Sequence, residues 1–116
     1  MSITVTKREQ NGSLSRGSLG ELLPDWQPGE RWLFFTPHDD DIAVGGALLV
    51  QAALAAGGEV GVRVATDGRM GYTSEEQRGE IVAIRKRETE ESFRILGVSD
   101  VSWYDYPDAD LYRHAG

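Results

Sequence analysis

The sequence contains no cysteine. Disulfide cross-links and thiolate metal sites are therefore both excluded, and any metal must be held by imidazole and carboxylate. Histidine is scarce, with His38 and His114 as the two examples in 116 residues. Basic residues are also short, 12 against 19 acidic, giving a formal net charge of −7. A phosphate-backbone binder needs a basic face, so this balance argues against a nucleic-acid partner. It leaves room for a small neutral or cationic substrate. No apolar run approaches the ~20 residues of a membrane span, and the N-terminus lacks a secretory apolar region. A cytoplasmic protein without a membrane span is expected, and a homo-oligomer is compatible with the sequence.

The four prolines, Pro24, Pro28, Pro37 and Pro107, fall where elements begin or end. Residues 1–28 read as a polar, poorly ordered lead-in with a short helix near Leu19–Leu23. Residues 29–116 carry the domain. Arg31 to Thr36 is an apolar, aromatic run closed by Pro37, which predicts a buried strand. Ile42 to about Ala56 is rich in Ala, Leu and Val and predicts a helix stopped by Gly57-Gly58. Val60 to Thr66 is a second strand. Ser74 to Gln77 resembles a capping box that opens a long helix, with a possible break at Gly79 and a stop at Gly97. Val101 to Tyr106 is a third strand. The order β-α-β-α-β predicts an α/β fold, a Rossmann-like open parallel sheet with right-handed crossovers. Ligands of such sheets bind beyond the carboxyl ends of the strands. The loops 37–41, 67–71 and 107–110 should therefore converge there.

Pro37-His38-Asp39-Asp40-Asp41 is the segment with most chemistry. One Asp before a helix is explained by capping. Three in succession behind a histidine crowd like charge that a cation would relieve. Imidazole with carboxylate suits zinc among divalent metals.

The same five residues, followed by Gly45-Gly46, resemble the Pro-His-Pro-Asp-Asp signature of the PIG-L/LmbE-like deacetylases. Thr66-Asp67-Gly68, the pair Arg85 and Glu88, and Leu96-Gly97-Val98 resemble later family motifs in the same order. The resemblance implies a zinc-dependent hydrolase that removes an acetyl group from the amide nitrogen of an amino sugar or similar small N-acylated substrate. It implies His38 and Asp41 as zinc ligands and Asp40 as the general base. Asp39 stands where the family has proline, and Ile42 where it has an acidic residue. The family adds a further zinc-binding His from a motif beyond this chain. The chain is accordingly expected to be the N-terminal part of a truncated domain, inactive alone, with His114 a solvent-exposed terminal residue.

Other residues are read both ways. Asp67, Arg69, Arg85 and Asp108 are candidates for substrate contacts. Asp67-Gly68 could equally be a turn, and Arg69 could equally be solvated. Arg85 and Glu88 could form a partly buried structural pair, with Ile81, Ile84, Glu88 and Ile95 at core-facing spacing. Two other functions compete: a different His/Asp metal-dependent hydrolase acting on phosphate esters, and a non-catalytic α/β module. An exposed apolar sheet edge and helix face are expected of an isolated half-domain.

Overall fold

The structure is a computed structural model and describes residues 3–113. Three strands, β3 (Arg31–Thr36), β4 (Glu59–Thr66) and β5 (Asp100–Tyr106), form a parallel sheet in the order β3-β4-β5. The first crossover carries α2 (Asp41–Gly45) and α3 (Ala47–Ala55); the second carries a 3-10 turn, Glu75–Gln77, and α4 (Ile81–Leu96). The open α/β sheet read from the sequence is thus the fold.

Period-two alternation in β3 and β4 selects one sheet face for the core. Val60, Val62 and Val64 of β4 meet Val50 and Ala53 of α3, Phe93 of α4, and Val98. Trp32, Phe34 and Trp103 pack against this cluster. Both helices therefore lie on the same face. The opposite face is open, with Leu33, Phe35 and Tyr104 exposed. The expectation of a buried strand at β3 is corrected, since Leu33 and Phe35 are exposed: two successive crossovers in one direction cover one side of three strands. Exposed Val44 and Leu48 add an apolar helix surface.

Three further features differ from the sequence reading. The lead-in is structured: β1 (Val5–Arg8) and β2 (Leu14–Gly17) pair antiparallel, and Val5 packs on the core. Their turn is closed by Glu9 and Ser13 with Gly12 at φ 86, chemistry that a polar composition conceals. The short helix α1 (Leu19–Leu22) is present, capped by Ser18 and Glu21. The predicted first helix is divided at Gly46, where φ is −119. The second helix begins at Ile81, because Gln77 accepts from Thr73 rather than closing a box with Ser74. Gly97 ends α4 at φ 90, the left-handed conformation that favours glycine.

On α4 the buried residues are Ile81, Thr89 and Phe93, separated by multiples of four. Arg85 belongs to that stripe. Glu88 and Ile95 point to solvent, correcting the stripe inferred from the sequence; Ile95 is 73% exposed. At its end β5 takes three steps where β4 takes two, Val64↔Trp103 being followed by Thr66↔Tyr106. This bulge holds Asp105 at φ 58.

Candidate metal centre

The loop after β3 turns back on itself at Thr36, whose buried hydroxyl has its single proton shared between the His38 carbonyl (2.8 Å) and Asp41 Oδ2 (3.2 Å). The His38 backbone N–H donates to the same Asp41 oxygen at 3.1 Å. Asp41 is in the first turn of α2, and Asp40 is the N-cap residue, yet its side chain makes no capping bond. Helix capping therefore does not account for these carboxylates. Asp41 instead faces the imidazole, with His38 Nδ1 3.5 Å from Asp41 Oδ2. Both side chains are about half exposed.

That separation tests the fit to a metal. Zinc–nitrogen and zinc–oxygen distances of ~2.0–2.2 Å place two donors of a tetrahedral ion about 3.4 Å apart. A borderline nitrogen and a hard carboxylate oxygen at 3.5 Å fit such an ion. Among the described residues no group of three His, Asp or Glu donors is assembled. His114, the other histidine, lies outside them.

The other two loops close on this pair. His38 Nε2 lies 3.0 Å from Oδ1 of Asp108, whose side chain is 13% exposed. The Asp108 backbone N–H donates to Asp67 Oδ1 at 3.3 Å. Asp67 is buried and clasped by Arg69 through its backbone N–H, Nε and Nη2. Burial pushes the Asp67 carboxyl up, but the hydrogen bonds from Arg69 and Asp108 outweigh it and hold the group below its ordinary value. Asp67 also raises the Arg69 guanidinium by hydrogen bonding.

The sequence reading noted Asp39 only as a departure from the family pattern and gave it no site role, and it did not single out Thr89. Asp39 is buried, with Thr89 Oγ1 at 3.4 Å and Arg85 Nε at 3.7 Å from its Oδ2. Arg85 Nε is buried without a hydrogen-bond partner, so charge alone joins it to Asp39. Arg85 also reaches Glu88 at 3.8 Å, as the sequence spacing predicted. Asp40, Ala43, Arg85 and Ser92 border a small hollow of about 110 Å³ beside this group. The signal for Asp39 was present: a third carboxylate where the resembling family has proline. His38, Asp41, Asp67, Arg69 and Asp108 form one polar network; Asp40 and Arg85 lie on its α4 side.

A family model described as "PIG-L: GlcNAc-PI de-N-acetylase" matches residues 33–116. The chain belongs to the PIG-L family. Diacetylchitobiose deacetylase of Thermococcus kodakarensis is 36% identical to this PIG-L chain over 80 residues, 68% of the chain and 30% of that protein. The solved N,N'-diacetylchitobiose deacetylase of Pyrococcus horikoshii, bound to its inhibitor MPG, superposes with a TM-score of 0.69 at 35% identity. The match covers 80% of this chain and 37% of that one. A second solved structure, the 4-carboxy-2-hydroxymuconate hydratase GalB of Pseudomonas putida, gives a TM-score of 0.62 at 19% identity and shows a shared fold. It covers 69% of this chain and 35% of that one. The chain spans about a third of the length of these relatives.

Proposed function

We propose that this chain carries the metal-binding and base-bearing part of a zinc-dependent N-deacetylase acting on a small acetylated amino sugar. The carrying observation is the 3.5 Å separation of His38 Nδ1 and Asp41 Oδ2 at the carboxyl end of a parallel sheet. The similarity to diacetylchitobiose deacetylases supports the substrate class.

His38 and Asp41 would hold the zinc, which when bound supplies Lewis acidity and lowers the pKa of bound water toward ~7. Asp40 is a carboxylate in the same loop, committed to no cap, and its oxygens accept the proton of the attacking water. Asp67 and Arg69 hold each other and present the free guanidinium edge to sugar hydroxyls. Asp108, in the loop beside them, is a further candidate for contact with these hydroxyls. Arg85 supports the loop through Asp39. Among the described residues no third donor joins the pair; on this reading a third donor and the acid for the leaving amine would be supplied from outside them. The 116-residue chain alone should accordingly turn over N-acetylated sugars very slowly or not at all.

The test is an equilibrium zinc titration of the chain beside His38→Ala and Asp41→Ala. One zinc per chain is expected, lost in both variants. A chain that binds no zinc, or variants that bind it as the parent does, would overturn the proposal.

A further inference from the structure

The imidazole of His38 is contacted at both nitrogens, and the two contacts differ in kind. Nε2 is at hydrogen-bond distance, 3.0 Å, from Asp108 Oδ1, whereas Nδ1 is 3.5 Å from Asp41 Oδ2. A neutral imidazole has one N–H and one lone pair, and a carboxylate can accept but not donate. The shorter contact therefore takes the proton. Asp41 Oδ2 is already an acceptor for the His38 backbone N–H and the Thr36 hydroxyl. With Nε2 protonated, Nδ1 and Asp41 Oδ2 turn lone pairs toward each other.

We infer that Asp108 is the positioning residue for His38: its Oδ1 accepts the Nε2–H bond, fixes the ring plane and leaves the Nδ1 lone pair facing Asp41. The inference rests on the proposed function for what that lone pair is used for; the His38–Asp108 bond itself does not. Asp108 is suited to the task because it is itself held. Its side chain is mostly buried, and its backbone N–H is anchored to Asp67, which is buried and locked by Arg69. A chain of fixed groups therefore runs from the loop after β4 through the loop after β5 to the imidazole after β3. Carboxylates that hold a ligating histidine by its second nitrogen orient the ring and raise its basicity.

Two measurements on the full chain test this, in a His114→Gln background so that one imidazole is observed. In zinc-free protein at alkaline pH, nitrogen–proton correlation spectra of the ring should show a protected Nε2–H, which broadens into solvent exchange in Asp108→Ala. Zinc affinity, read by competition with a chromophoric chelator, should fall ~10- to 100-fold in Asp108→Ala. Asp108→Asn, whose amide oxygen can still accept, should recover most of it. Should the alanine variant fail to fold, the asparagine variant decides alone: its affinity should lie within about tenfold of the parent, with the Nε2–H still protected. A ring protonated at Nδ1 or at both nitrogens in the parent overturns the inference. So does an Asp108→Ala affinity within twofold of the parent. Absence of zinc binding in the parent would sink the proposed function, while the ring spectra would still decide the His38–Asp108 bond.

Discussion

At His38 one ring lies between two carboxylates, Asp41 on the Nδ1 side and Asp108 on the Nε2 side. Single substitutions should separate the neighbouring roles. His38→Ala should abolish zinc retention through dialysis, measured by metal analysis. Asp40→Asn should leave zinc retention intact, because Asp40 has no place in the pair. In a protein that contains the complete site it should lower turnover by ~100- to 10,000-fold, the ordinary worth of a positioned base. Equal loss of zinc in both variants would contradict this division of labour. The His38-to-Asp41 cluster was legible in the sequence because residue type and order alone announce it. The His38–Asp108 contact was not, since the partners are 70 positions apart and meet only through the packing of two loops.

At the scale of elements, α4 shows where pattern reading succeeds and where it slips. Strand order, the crossovers and the stop at Gly97 follow from apolar runs and punctuation that short elements rarely mimic. The stripe on α4 was misread because isoleucines were counted as core and a threonine was not. Thr89 is buried through its hydroxyl bond to Asp39, while Ile95 lies in the open. Two substitutions check the corrected face by denaturant unfolding. Phe93→Ala removes a fully buried ring and should cost ~3–5 kcal/mol. Ile95→Ala should change stability by no more than about 0.5 kcal/mol. The N-terminal hairpin escaped detection for a related reason: its strands are four residues each and mostly exposed, so no apolar alternation marks them.

For the whole molecule, an acidic chain with several clasped carboxylates should lose stability at low pH in a defined way. Asp67 titrates below its ordinary 3.8 in the folded protein. Its contribution is fully present above that unfolded-state value and disappears as pH falls through the lower folded one. Asp100 behaves alike, held down by its hydrogen bonds with Arg63. Arg69→Ala removes the largest influence that opposes burial at Asp67, so the carboxyl rises. The midpoint of acid unfolding, followed by circular dichroism, should move to higher pH. An unchanged midpoint would show that Asp67 does not govern acid stability. The open face bearing Leu33, Phe35 and Tyr104 is the other global property, an apolar surface of the kind that marks an interaction site.

The bulge at Asp105 has a reach beyond its own strand. His38 follows β3 and Asp108 follows β5, with β4 between them, so the two outer strands stand about 9.5 Å apart. The supernumerary residue puts the tail of β5 out of step with β4 shortly before Asp108, whose carboxylate meets His38 beyond the middle strand. Excising Asp105 would restore an even ladder and turn each following side chain over to the other surface of the sheet. Imidazole and carboxylate would then be parted with every donor still in the sequence, and the zinc affinity of that shortened chain would report it.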